Sequence, residues 1–210
     1  MGDSKLATVK EEYAQLAGEY DQRWSGYIAA STRETVRRLS LDAGDRLLDV
    51  GCGTGVLLEQ VLARWPATRA VGTDLSGPML AVAQARLGNR TPLVQADVSA
   101  LPFATHSLDV AVSNSSLHYW PDPDRAIAEI TRVLRPGGRL VITDWCGDYL
   151  TCRLLGLGLR LTGRAHERAY RSAELARLLE NAEYHELSVE RYRLDWFWGL
   201  MTATATRSEA

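Results

Sequence analysis

The densest chemistry in this sequence lies where short apolar runs end in acids. The segment Asp49-Val50-Gly51-Cys52-Gly53-Thr54-Gly55 sets glycines at alternate positions, which lets the chain turn tightly and lets a ligand approach the backbone closely. A strand–helix turn with no ligand would use the same glycines, so spacing has to discriminate. The dinucleotide fingerprint G-x-G-x-x-G puts its third glycine five residues after the first; here it comes four residues after, and Val56 fills the fingerprint's position. No Gly-Lys-Ser/Thr follows, so the loop is no P-loop. It suits a small nucleoside ligand better than a pyrophosphate cradle.

Asp74 lies 19 residues beyond Gly55, where an acid can accept hydrogen bonds from ribose hydroxyls. Asp97, followed by Val98, can accept an amino proton from an adenine edge. Each acid alone reads as a surface residue or a cap. Together they mark three successive strand ends around one crevice.

The elements that must position them follow from hydrophobic period and breakers. Residues 46–50, 70–73, 92–96, 108–112 and 139–143 read as strands. Helical stripes cover 56–65, 76–87 and 123–134, with Ser76 and Asp122 as N-caps and Pro123 at the first helical position. Pro136-Gly137-Gly138 reads as the turn that ends the third of these. Ser172 reads as the cap of a further helix, and residues 184–206 alternate well enough for two strands. Residues 5–40 look helical but less regular. Strand–helix alternation argues for a parallel sheet, with ligands at the carboxyl ends of its strands.

The chain has 210 residues, 46% hydrophobic and 24% charged, with a net charge of −2, which is ordinary for a globular protein. Near-neutral charge gives no footprint for nucleic-acid binding. Cys52, Cys146 and Cys152 form no CxxC pair and read as reduced thiols. The polar start has no leader-like apolar core, so a cytoplasmic location is expected. The greasiest stretch, 149–161, is interrupted by Arg153 and Arg160 and is too short for a bilayer span.

The runs Leu47–Gly55, Gly72-Thr73-Asp74-Leu75-Ser76, Gln95-Ala96-Asp97-Val98 and Leu101-Pro102-Phe103 together resemble the motifs of class I S-adenosylmethionine-dependent methyltransferases. Residues Ser113–Trp120 and Leu134-Arg135-Pro136-Gly137-Gly138 fit the same pattern. The branch most resembled is the ubiquinone/menaquinone-biosynthesis type, which acts on small molecules. The resemblance covers residues 13–145 well and the rest more loosely. It implies a Rossmann-like three-layer α/β sandwich with a seven-stranded, mostly parallel sheet of order 3-2-1-4-5-7-6 and an N-terminal helical lid. One methyltransferase domain is expected over 1–210: a lid region (1–45), a cofactor core (46–145), a substrate cap (146–171) and a C-terminal sheet half (172–210).

The same resemblance implies the cofactor contacts. Gly51, Cys52, Gly53 and Gly55 would face the methionine and ribose portions. Asp74 would hold the ribose hydroxyls, Leu75 the adenine, and Asp97 with Val98 the adenine edge and ring. Asn114 would lie near the methionine portion, and Asp49 would orient the loop or reach the methionine amine through water. Tyr20, in a Tyr-Asp pair like that of the family's lid helix, would lie over the cofactor; simple helix packing is the other reading.

A sulfonium methyl needs no metal and no covalent nucleophile, only alignment of a small-molecule acceptor and exclusion of water. A general base matters only if the acceptor must lose a proton. His118, between the fourth strand and two aromatic neighbours, is the first candidate for that base. Asp144, Tyr149 and His166 are weaker ones, and a structural histidine is the bland reading. Cys146 and Cys152 could hold a metalloid acceptor, though buried hydrophobes are the plainer identity. Residues 149–171 carry six leucines and five arginines; they could recognise an acceptor's carboxylate or phosphate, touch a membrane surface peripherally, or simply pack on the sheet. A non-catalytic S-adenosylmethionine-binding sensor or partner subunit, or a macromolecular methyltransferase, would use the same cofactor motifs. The place where amino-directed nucleic-acid enzymes carry Asn/Asp-Pro-Pro-aromatic reads Ser113-Asn114-Ser115-Ser116 instead.

Overall fold

The structure is a computed structural model that describes residues 2–161 and 168–209; His166, one of the weaker base candidates, lies outside the described residues. Seven strands form one sheet: β1 (Arg46–Val50), β2 (Arg69–Asp74), β3 (Leu93–Gln95), β4 (Leu108–Asn114), β5 (Leu134–Trp145), β6 (Tyr184–Arg193) and β7 (Gly199–Arg207). Their order is β3-β2-β1-β4-β5-β7-β6. β7 runs antiparallel to β5 and β6, and the other pairings are parallel. This is the implied order, and the order in which strands are added reverses between the parallel neighbours β1 and β4, where such sheets open a crevice.

Side chains alternate faces along each strand, and this alternation divides the core in two. Leu47, Val110, Val112 and Val141 face one side, against α3 (Ser25–Arg38), α4 (Val56–Arg64) and α5 (Gly77–Leu87). Leu48, Ala111, Leu140 and Ile142 face the other, against α6 (Pro123–Val133) and α8 (Ser172–Asn181). The result is the expected three-layer sandwich. Leu47, Leu48, Val110 and Val112 are fully buried, as central parallel strands covered on both faces must be.

The N-terminal region forms three helices, α1 (Gly2–Leu16), α2 (Tyr20–Arg23) and α3, laid over the carboxyl ends of the strands. The Thr35 hydroxyl fixes α3 to the sheet through Asn114 and Thr143 (3.2 and 2.8 Å). Between β5 and α8 stands α7 (Leu150–Leu161). No described helix is long and apolar enough to cross a membrane.

Capping held at Asp122, whose Oδ1 accepts from the Arg125 amide at 3.0 Å, and at Ser76, which accepts from Met79. It failed at Ser172, which is the first residue of α8 rather than its cap. The Glu174 carboxylate accepts from the Arg171 amide at 2.8 Å, and the Ser172 hydroxyl instead donates to Asp148 at 2.6 Å. Pro136–Gly138 is not a separate turn. α6 ends at Val133 and the chain enters β5 directly, and the three residues form an irregularity where the pairing jumps from Leu108↔Leu134 to Val110↔Arg139.

Candidate active site

Two adjoining cavities open at the carboxyl ends of the strands. The first spans about 1120 Å³ over the ends of β1, β2 and β4, part of it open to solvent. Tyr20, Asp49, Gly51, Cys52, Gly53, Asp74, Leu75, Asp97, Val98 and Asn114 all line it. Gly55 does not: it sits in the left-handed region (φ +81°) before α4, where an added Cβ would meet Ala83 and Leu87 at 3.1 Å. It shapes the loop by letting α4 and α5 close together.

The loop is held from β2. Asp74 Oδ2 accepts from the Gly53 amide and Oδ1 from the Ser76 amide, both at 2.8 Å. Burial raises the Asp74 pKa, and these amide bonds oppose the rise. Each carboxylate oxygen retains a lone pair for a ligand donor. Asp97 accepts from the Ser99 amide at 2.8 Å. Asn114 is braced by Ser31, Thr32 and Thr35 of α3.

Asp49 is different. It is 1% exposed, and its Oδ2 has no hydrogen-bond partner among the described residues. Burial, with the Asp74 charge second, pushes its pKa up to about 8. An orphaned buried carboxyl at a cavity wall is a site prepared for a donor or a cation. Gly53 adds the matching space, since a Cβ built there would meet nothing within 4 Å.

The second cavity, about 920 Å³, lies against the first and shares Tyr13, Tyr20, Tyr27, Ser115 and Tyr119 with it. Its remaining wall includes Trp24, His118, Trp145 and Trp198, and α7 contributes Leu155 and Leu159. His118, 2% exposed, stacks on Trp145 with centroids 4.3 Å apart at 15°. Its Nδ1 lies 2.6 Å from Asp144 Oδ1, and its amide donates to Asp144 Oδ2 at 3.1 Å. A carboxylate only accepts, so in the neutral form of the ring this contact places the proton on Nδ1 and the lone pair on Nε2.

The shared wall is hydrogen-bonded across elements that are distant in sequence. Tyr13 Oη donates to Tyr119 Oη, and Tyr27 Oη pairs with Ser115 Oγ, both at 2.6 Å. Trp145 Nε1 donates to Tyr27 Oη at 2.9 Å. Burial pushes Tyr20 up to about 12 and raises Tyr13, Tyr27 and Tyr119 as well, so all four are neutral phenols at physiological pH. Sequence reading missed Tyr13, Trp24 and Tyr27. Their signal was present: with Tyr20 they recur at intervals of seven, four and three residues, a helical stripe.

Tyr149 packs under the Arg193 guanidinium (4.6 Å) and does not line the second cavity. Neither do Cys146 and Cys152. Both are fully buried; their thiols donate to Asp148 and to the Gly199 carbonyl, and burial raises both pKa values. They behave as small core residues, which removes the basis for a thiol-held metalloid acceptor.

Comparison with known proteins matches residues 48–142 to the methyltransferase domain family. An uncharacterised methyltransferase of Bacillus subtilis is 31% identical over 57% of this chain and 69% of its own length. The chain is an S-adenosylmethionine-dependent methyltransferase family member. The ubiquinone/menaquinone biosynthesis C-methyltransferase of Syntrophotalea carbinolica is 35% identical over 60% of this chain and 51% of its own. In fold, a methyltransferase from Thermotoga maritima superposes with a TM-score of 0.77 at 19% identity, covering 95% of this chain and 99% of that one. The chain spans about half the length of several curated relatives it matches. The family's cofactor is S-adenosylmethionine, and the first cavity of this chain fits it in two independent respects, the orphaned Asp49 oxygen and the open space over Gly53.

Proposed function

We propose that this chain catalyses methyl transfer from S-adenosylmethionine to a small, partly apolar acceptor, releasing S-adenosylhomocysteine. The first cavity would hold the cofactor and the second the acceptor. The observation that carries this reading is the pair of adjoining cavities with one shared wall, the second lined by His118, whose ring is held from behind by buried Asp144. Residues 46–145 would form the cofactor core, with 1–45 as lid, 146–171 as acceptor cap and 172–210 completing the sheet.

When bound, S-adenosylmethionine supplies a sulfonium-activated methyl group. The chain's own residues would bind, orient and exclude water. Asp74 would accept from the ribose hydroxyls and Asp97 from the adenine amino group, with Leu75 and Val98 against the ring. Asp49, ionised, would face the methionine ammonium. Asn114, at the end of β4 and braced by α3, would fix the methionine portion. Tyr20 would close the lid over both ligands.

The acceptor cavity is walled mainly by aromatic rings, with three leucines (Leu16, Leu155 and Leu159), which favours a planar, conjugated acceptor. His118 Nε2 would take the proton from its hydroxyl as the nucleophilic oxygen, or a conjugated carbon, approaches the methyl group in line. Asp144 would hold the imidazole in the required tautomer and stabilise the imidazolium that forms. A base so placed contributes about 10²–10⁴-fold, and positioning a further ~7–11 kcal/mol.

The test is S-adenosylhomocysteine formation over a panel of phenols, hydroquinones, carboxylates, thiols and amines. Turnover confined to hydroxylated aromatic acceptors supports the reading. Turnover only with thiols or aliphatic amines would overturn the acceptor class. Cofactor binding with no turnover on any acceptor would leave the chain a binding protein.

A further inference from the structure

α7 is apolar nearly all round. Its inner side, with Leu155 and Leu159, lines the acceptor cavity, whereas Leu150, Leu154, Leu157 and Leu161 stand 54–79% exposed. A helix of that composition is normally covered on every side. The outer leucines recur at intervals of four, three and four residues, so they form one stripe. Beside it, the turn between β6 and β7 presents Trp196, 81% exposed. The two are tied together: the Thr151 hydroxyl donates to the Phe197 carbonyl at 2.6 Å, and Cys152 Sγ donates to the Gly199 carbonyl at 3.2 Å. Trp24, at the cavity mouth, is the sole other large exposed hydrophobic among the described residues.

Charge on α7 itself is one-sided. Residues 150–161 contain no acid and include Arg153 and Arg160. Arg193, over Tyr149, and Arg23, over Trp24, are exposed at its edges. Among the described residues, Glu12 lines the cavity beneath the helix, and two further nearby acids are engaged. Asp195 accepts from the amides of Phe197 and Trp198 at 2.7 Å, and Asp148 accepts from Ser172 and faces Arg191. From Trp196 a chain of ring contacts runs inward through Phe197, Trp198 and Trp145 to His118, with centroids 4.3–5.6 Å apart.

We propose that the outer face of α7, with Trp196, docks on the interface of an anionic lipid membrane, and that the acceptor enters between this face and the cavity it roofs. The chemistry is that of an interfacial helix: leucines and a tryptophan inserted at the headgroup boundary, with arginines toward anionic headgroups. A second copy of the chain fits less well. Twelve helical residues span about 18 Å, too small a contact for the roughly 800 Å² per partner of a stable interface, and exposed Arg153 and Arg193 would face their own copies. The proposal concerns where the protein works and does not depend on which atom is methylated.

The test is co-sedimentation with vesicles of phosphatidylcholine plus phosphatidylglycerol, and of phosphatidylcholine alone, using the full chain without acceptor. The wild type should sediment with the anionic vesicles and much less with the neutral ones. Combined Leu154→Glu and Leu157→Glu should weaken sedimentation more than about tenfold, with cofactor affinity measured by calorimetry unchanged. If that variant does not fold, Trp196→Ser on the turn provides the second probe and should weaken sedimentation several-fold. Wild-type protein that stays in the supernatant with both vesicle types would overturn the proposal. So would a wild-type dimer in solution that these substitutions split, which would assign the face to a second copy. Neither result would touch the methyl-transfer reading, which the turnover panel tests separately.

Discussion

His118 Nδ1 lies 2.6 Å from Asp144 Oδ1, and the other oxygen of the same carboxylate accepts from the His118 backbone amide. Ring and main chain of His118 are therefore held by one side chain of β5. Asp144 also accepts from the Trp145 amide at 2.6 Å, next to the tryptophan on which the imidazole stacks. Such over-determination fixes a ring to within the tolerance that proton transfer demands.

For the proposed base, His118→Ala should lower kcat by about 10²–10⁴-fold on a hydroxylated acceptor, with cofactor affinity by calorimetry nearly unchanged. Acidic phenols that are already ionised should lose far less. Asp144→Asn should lower kcat similarly and displace the acid limb of the pH–rate profile, a readout that simple loosening of the loop would not move. Full turnover of a neutral phenol by His118→Ala would dispose of the base.

Asp49 makes stability and cofactor binding depend on pH in opposite directions. Its folded pKa, pushed up to about 8, lies above the ordinary carboxyl value of about 4. Between those values the folded state binds the extra proton, so this group's contribution to stability falls as pH rises from about 4 to about 8. Asp49→Asn should flatten that slope in chemical denaturation. Binding of a cationic ammonium requires the ionised form. Cofactor affinity should therefore rise toward pH 8, and calorimetry in buffers of different ionisation enthalpy should detect proton release near pH 7.

Two glycines of the loop should separate folding from binding. At Gly51 (φ +73°) an added Cβ would lie 2.5 Å from Ser116 Oγ. That oxygen accepts from Ser113 Oγ and Trp120 Nε1 at 3.1 and 3.0 Å, so the clash would disturb the segment carrying His118. Gly51→Ala should cost about 2–4 kcal/mol, combining left-handed strain with overpacking. Gly53→Ala, with open space around the new methyl, should cost only about 1–2 kcal/mol of strain but lower cofactor affinity more than tenfold. Thermal denaturation and calorimetry on the two variants distinguish these outcomes.

The N-terminal helices are fastened to the glycine loop through Asp21. Its carboxylate accepts from Thr54 Oγ1 at 2.6 Å and from the Arg86 guanidinium, which also holds Glu59 at 3.0 Å and the Thr54 carbonyl at 2.9 Å. Asp21 and Arg86 are partly exposed, so Asp21→Ala should cost no more than about 1 kcal/mol of stability. It should nonetheless free α2 from the glycine loop. Stopped-flow measurement should show S-adenosylhomocysteine leaving several-fold faster, and hydrogen exchange should show α2 opening sooner.

Much of this architecture was legible in the chain because its signals are local. Period-two and period-3.6 patterns located the central strands and the helices between them. Three acids at three strand ends marked the crevice, and motif resemblance supplied the strand order and the cofactor. Nearly all the residues so singled out line one cavity. Gly55 is the exception, because a glycine needed for close helix packing and one needed for ligand approach look alike in sequence.

The second cavity was decided only by tertiary structure. Its wall joins Tyr13 to Tyr119 and Tyr27 to Trp145 across the fold, contacts with no local pattern because they depend on how α1, α2 and α3 lie on the sheet. The same holds for the partner of His118, which comes from the next strand of the sheet rather than from nearby sequence, and for the two faces of α7. Composition marked that helix as leucine-rich and basic. Only the fold showed which leucines roof a cavity and which meet solvent, since burial is a property of what an element packs against and not of the element itself.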